Sequence, residues 1–214
     1  MLSDIKILIW DFDGTLYRPN PDLWHDVRKG EYQTIANHTG WSREKTVEEF
    51  AKLYKTVYDS ATESTAVLSG ISIAEAAVEM ERYFDRRKYL TRDVKLIALF
   101  QKLKNFRHFI LANGVIARHK ETLEVLGVSP DIFEEMVTSQ TVGFTKPHEA
   151  GFRYILAKTC LPPEVHLMIG DREAVDLVPA KKLGMKTCLV WAETPSNIAD
   201  ITLPTVYEVA TILV

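Results

Sequence analysis

Two cysteines are all that the 214 residues contain, Cys160 and Cys188. That leaves no material for a disulfide framework or a cysteine-based zinc site. Both stand in apolar stretches and read as small buried thiols of a reducing compartment. Long apolar runs are also missing. None approaches the roughly 18 residues of a membrane span, so no membrane partner is expected. Nor is there a basic excess: 26 Lys and Arg face 29 Asp and Glu, a net charge of −3. A protein that binds nucleic acid through its phosphates usually shows the opposite balance, so no nucleic-acid partner is expected. Repeats, linkers and low-complexity tracts are absent. Asp4 and Asp11 come too early for a signal peptide, and a cytoplasmic location is expected. What remains is an ordinary globular composition, 46% hydrophobic and 26% charged. It is ample for one domain, or for a domain carrying a smaller insert.

The segment 5–10, Ile-Lys-Ile-Leu-Ile-Trp, is short and almost continuously apolar. A strand buried on both faces of a parallel sheet has that pattern. Similar runs recur at 108–112, 165–169 and 187–191, with a weaker one at 136–138. Helical patterns fall between them, at 94–103, 118–126, 149–158 and 174–183. The alternation predicts an α/β fold, a Rossmann-like parallel sheet flanked by helices. Residues 17–92 break it and read as wholly helical. Ser42 precedes Val47, Phe50, Ala51, Tyr54, Val57 and Tyr58 at helical spacing. Ser72 and Glu75 form a capping-box pattern ahead of Ile73, Ala77, Met80 and Phe84. The expected division is a core of 1–16 and 93–214 with an inserted helical cap of 17–92.

The most informative residues are Asp11-Phe12-Asp13-Gly14-Thr15-Leu16, directly after the first apolar run. Open α/β sheets bind ligands beyond the carboxyl ends of their strands. Two carboxylates two residues apart can both turn toward one site if the chain bends behind them, and Gly14 gives that freedom. An Asp-x-Asp-Gly stretch alone also suits a solvated turn. An EF-hand loop would need Glu at its twelfth position, where this chain has Asp22.

The complete segment resembles the first motif of the haloacid dehalogenase-like hydrolase superfamily. Phe109-Ile-Leu-Ala112-Asn113-Gly114 resembles the second, Lys146-Pro147 the third, and Gly170-Asp171 with Asp176 the fourth. The four occur in order and span nearly the whole core, and the insert resembles a C1-type cap. The resemblance implies a phosphatase. Asp11 would attack phosphorus and carry an aspartyl-phosphate. Asp13 would donate a proton to the leaving oxygen, then take one from water. Mg2+ would be held by Asp11, the Asp13 carbonyl and Asp171, with Asp176 close by. Lys146 would offset charge on the nucleophile and the transferring group. Asn113, Gly114 and the backbone around Ala112 would hold the phosphate.

Asp13 separates the chain from the dehalogenase branch, which needs no proton donor there. Relatives usually carry Ser or Thr where this chain has Ala112. Losing that hydrogen bond costs about 1.5–3 kcal/mol, one or two decades in rate or affinity. A weakened or non-catalytic binding protein, or a phosphomutase, are the alternatives. Tyr17, Arg18, Trp24 and Arg172 are possible substrate contacts, although Tyr17 and Trp24 also suit the packing of the cap. His25 reads as an exposed helix position. Lys146-Pro147-His148, Phe152 and residues 181–188 look most like the pyrimidine 5′-nucleotidase-like branch. The expected partner is a small phosphorylated metabolite, a nucleotide monophosphate or sugar phosphate, and the expected state a monomer or weak homodimer.

Overall fold

The computed structural model describes residues 2, 4–18, 20–56 and 60–214. Six parallel strands make one sheet: β1 (Ile7–Trp10), β2 (Arg107–Leu111), β3 (Phe133–Val137), β4 (His166–Gly170), β5 (Lys186–Leu189) and β6 (Ile201–Thr202). Their order is β3-β2-β1-β4-β5-β6. The chain builds outward from β1 on one side, then returns to its other side at β4. The carboxyl ends of β1 and β4 therefore flank the point where strand order reverses, the usual ligand crevice of such sheets.

β1 is buried on both faces, as its unbroken apolar run requires. Leu8 and Trp10 face one core with Ile110, Leu167 and Ile169. Ile7 and Ile9 face the other with Phe109, Leu111 and Met168. This is the two-residue period of a strand. The Trp10 indole N–H finds a buried acceptor in His108 Nδ1 at 3.1 Å. β3 starts earlier than its apolar residues suggest. Its solvent-side Glu134 and Glu135 pair with Arg107 and Lys158 instead of contributing to a core. β6, only two residues long, carried no readable pattern.

Four helices fill the chain between β1 and β2: α1 (Pro21–Thr39), α2 (Arg43–Tyr54), α3 (Ala61–Ser69) and α4 (Ile73–Met80). A short 3₁₀ turn, Arg86–Tyr89, follows them. The Asn20 side chain caps α1 ahead of Pro21, and Gly40 ends it in the left-handed conformation. Ser42 caps α2 as expected. Phe50 is buried, while Val47 and Tyr54 are half-buried and Ala51 is exposed. Val57 and Tyr58 lie outside the described residues. The Ser72–Glu75 capping box forms at α4 in both directions.

The remaining helices are α5 (Val94–Lys102), α6 (Ile116–Leu126), α7 (Ser139–Val142), α8 (Ala150–Thr159) and α9 (Val178–Lys182). The helix expected over 174–183 is a π-helical turn, Glu173–Leu177, running into α9. Pro179 has no N–H to give and crowds the carbonyl four residues back, so regular α geometry cannot run through it. Cys188 is buried, but Cys160 is exposed, a correction to the expected pair of buried thiols. It occupies the left-handed position that ends α8, which points away from the core. Among the described residues no helix is long and apolar enough to cross a membrane.

Gly30 lies where α1 meets α4. Gly30→Ala gains about 1 kcal/mol of helix propensity. Its methyl, however, would sit 2.8 Å from the Met80 carbonyl oxygen. Such overpacking costs about 1–3 kcal/mol, and backbone yields less readily than a side chain. The expected result is a thermal midpoint lowered by a few degrees. A raised midpoint would show that the two helices separate freely.

Candidate active site

Asp11 follows β1, and its N–H donates to the Ile169 carbonyl at 2.9 Å, so it stays in register with β4. Its side chain is almost wholly buried. Oδ1 accepts from Lys146 Nζ at 2.6 Å, and Oδ2 accepts from the Thr15 hydroxyl at 2.8 Å. The same Lys146 ammonium donates to Asp176 Oδ1 at 2.6 Å. Asp176 Oδ2 accepts from the Arg172 N–H at 3.1 Å. Lys146 and Asp176 are buried with Asp11, so one cation joins two carboxylates away from water. Burial alone would favour a neutral amine, but Asp11 and Asp176 win and hold the Lys146 pKa above its ordinary value.

Two glycines make the crowding possible. A Cβ on Gly170 would lie 2.5 Å from Asp176 Cβ, and one on Gly14 would lie 2.5 Å from Asp171 Oδ2. Gly14 also takes φ +95°, which an L side chain rarely adopts. One oxygen each of Asp11, Asp171 and Asp176 lies within 4.8 Å of the others. Burial, then repulsion from Asp11 and Asp176, pushes the Asp171 pKa up to about 7. Three hard oxygen donors, with a lysine on only two of them, fit a divalent cation, which would relieve that repulsion.

The second motif is used differently from the expectation. The Asn113 amide is committed to the Lys146 backbone: Oδ1 accepts its N–H at 2.7 Å and Nδ2 donates to its carbonyl at 3.0 Å. The side chain thus fixes the lysine. The main-chain N–H groups of Asn113 and Gly114 donate to no described residue and remain available to an anion. Ala112 is buried at the cavity wall. Behind Gly114 lies His119, whose ring packs tilted against Phe12, centroids 4.2 Å apart, and finds no hydrogen bond among the described residues. Burial lowers its pKa to about 4, so it is neutral.

Asp13 faces the insert. Arg86 donates from Nε to Oδ1 and from Nη2 to Oδ2, both at 2.8 Å. The Tyr17 hydroxyl also donates to Oδ1. On its other side Arg86 Nη1 donates to both oxygens of Glu81, at 2.6 and 2.5 Å. Burial would raise the Asp13 pKa, but the Arg86 charge and hydrogen bonds outweigh it and lower it to about 2.

A cavity of about 540 Å3 separates core and insert. Asp11, Asp13, Asn113, Gly114 and Asp171 form its floor; Trp24, Tyr54, Met80 and Phe84 reach it from the insert. Arg172 lines it and has no ion pair among the described residues. Trp24 is 48% exposed at the mouth, not packed into the insert, and His25 is exposed beside it. Two expected contacts lie elsewhere. Tyr17 is buried among core residues with its hydroxyl on Asp13. Arg18 stands over Trp191, 5.8 Å from the ring centroid, in an adjoining cleft that shares Trp24 and Asp171 with the cavity. Glu81, Arg86 and His119 were missed by sequence reasoning. No motif marks them: Arg86 meets Asp13 and His119 meets Phe12 far away in the chain, and Glu81 enters only through its neighbour Arg86.

Asp171 carries a sign for stability. The folded chain keeps a proton there that the unfolded chain loses, so its contribution falls as pH rises from 3.8 to about 7. In chelator at pH 8, Asp171→Asn is expected to raise the thermal midpoint by several degrees and to flatten its decline over that window. Equal midpoints for the two proteins would contradict the crowding.

The glyceraldehyde 3-phosphate phosphatase of Methanocaldococcus jannaschii is 37% identical over 78 residues, 36% of this chain and 34% of that enzyme. The match thus spans about a third of that relative's length. The phosphoglycolate phosphatase of Colwellia psychrerythraea is 26% identical over 188 residues, 84% of this chain and 81% of its own. A HAD phosphatase from Thermococcus onnurineus has the same fold, with a TM-score of 0.69 at 21% identity over 97% of both chains. The family profile described as haloacid dehalogenase-like hydrolase matches residues 5–184, from β1 through the end of α9. With its parallel sheet, its helical insert between β1 and β2 and its aspartate cluster, the chain belongs to the haloacid dehalogenase-like hydrolases.

Proposed function

We propose that the chain hydrolyses a small phosphomonoester through an aspartyl-phosphate on Asp11. The observation that carries this reading is the buried Asp11–Lys146–Asp176 bridge with Asp171 beside it, at the carboxyl ends of adjacent strands. A carboxylate is ionised at neutral pH and needs no base. Asp11 Oδ attacks phosphorus, and the bond from phosphorus to the ester oxygen breaks as the new bond forms. Asp13, which takes up a proton once the Arg86 pairing that keeps it ionised is broken, gives that proton to the oxygen. Asp13 then takes a proton from the water that attacks the aspartyl-phosphate, and phosphate leaves with Asp11 restored. Lys146 and the free N–H groups of Asn113 and Gly114 meet the charge on the transferring group. Mg2+ held by Asp11 and Asp171, with Asp176 behind them, would let an anionic nucleophile approach an anionic ester.

The substrate class we propose is a sugar phosphate or a nucleoside monophosphate. The cavity volume accommodates either, and two similar enzymes bear the names of two- and three-carbon phosphates. For the nucleotide, the supporting feature is Trp24 at the mouth, where an aromatic face suits a base. Ala112 is the one feature that favours a non-catalytic reading, since the hydroxyl of a Ser or Thr is missing there.

Phosphate release from a panel of sugar and nucleoside monophosphates is expected to need magnesium and to stop in chelator. Asp11→Asn is expected to lose about a thousand-fold or more. Unchanged release in that variant would refute the mechanism. Ala112→Thr restores a hydroxyl facing the cavity and is expected to raise kcat/KM about ten-fold. If no substrate is turned over by either protein, the binding reading replaces the enzyme.

A further inference from the structure

Both carboxylate oxygens of Asp13 are already engaged where it faces the cavity. Oδ1 is taken by Arg86 Nε and by the Tyr17 hydroxyl, and Oδ2 by Arg86 Nη2. Arg86 belongs to the turn that returns the insert to the core, and Glu81 follows the last helix of the insert. Asp13 belongs to the core, two residues beyond β1. The guanidinium therefore lies between one carboxylate of the core and one of the insert, with an edge on each. All three residues line the cavity where a substrate would arrive.

We propose that Arg86 is a positioning residue that keeps Asp13 out of use until the insert draws it back, and that Glu81 is the partner with which it withdraws. The inference rests on the phosphatase reading above. The physical logic is charge balance during withdrawal. An arginine released from its only carboxylate in a buried place leaves two unpaired charges, which is prohibitive. Here Arg86 stays paired with Glu81 throughout, and only Asp13 loses a partner, at the moment a phosphate ester fills the cavity beside it. A fastening that merely held the insert in place would need only one carboxylate on the arginine.

The test compares two leaving groups. p-Nitrophenyl phosphate departs without a proton, whereas glycerol phosphate needs one from Asp13. The readout is the ratio of kcat on glycerol phosphate to kcat on p-nitrophenyl phosphate, with magnesium present. A purely structural defect lowers both and leaves the ratio where it was. In Glu81→Gln the arginine loses its charged alternative and clings to Asp13, so the ratio is expected to fall about ten-fold. In Glu81→Gln/Arg86→Gln no cation holds Asp13 and only the Tyr17 hydroxyl remains on it, and the ratio is expected to return to the wild-type value or above. The double variant removes both buried charges together and so avoids the uncompensated glutamate of Arg86→Gln alone. An unchanged ratio in Glu81→Gln overturns the proposal, as does a double variant with a ratio as low as the single one. Absence of Asp11-dependent turnover of p-nitrophenyl phosphate in the wild type would sink the phosphatase reading itself, a failure separate from either ratio.

Discussion

A single ammonium group, Lys146 Nζ, lies 2.6 Å from Asp11 and 2.6 Å from Asp176, and the ends of three strands depend on it. Without it, two carboxylates would share a dry space with Asp171. Buried charges tolerate this only when each is paired and hydrogen-bonded. The surrounding details serve that requirement. Asn113 spends its whole amide on placing the lysine backbone. Thr15 and the Arg172 N–H satisfy the outer oxygens of the two aspartates. Gly170 removes the Cβ that would keep Asp176 at a distance.

Asp11 and Asp13 are two residues apart yet belong to different electrostatic neighbourhoods. Asp11 answers to Lys146 in the core, and Asp13 to Arg86 at the end of the insert. Neighbouring acids are assigned different tasks by unlike surroundings. Here the division runs along the seam between sheet and insert. Asp11 is set by a lysine of the core, and Asp13 by an arginine of the insert.

Much of this was legible in the sequence because the signals were local. Apolar runs marked four of the strands, and the Ser42 and Ser72 caps marked two helices of the insert. The ordered motifs brought Asp11, Asp13, Lys146, Asp171 and Asp176 into one site. What escaped was set by distance in the chain. Nothing near residue 86 says that its guanidinium meets Asp13, and nothing near Asn113 says that its amide turns toward Lys146. Tyr17 reads equally well as a pocket lining or as a core residue until its hydroxyl is seen on Asp13. Cys160 sits in an apolar phrase, but the end of its helix turns it outward. Pro179 was visible, yet its effect on the turn before it depends on Asp176 having to face inward.

The place of β1 in the sheet has a meaning for biosynthesis. It leaves the ribosome before both of its partners, β2 and β4: Ile7 pairs with Arg107 on one side and with His166 on the other. Until they are made it is an apolar ribbon with two open edges, the kind of segment that associates wrongly if left bare. The helices of the insert depend on nearer neighbours and can form while β1 waits. Asp11 waits as well. Asp11 is made well before Lys146, Asp171 and Asp176, so a chain that ends between them carries this carboxylate without the charges that surround it in the fold.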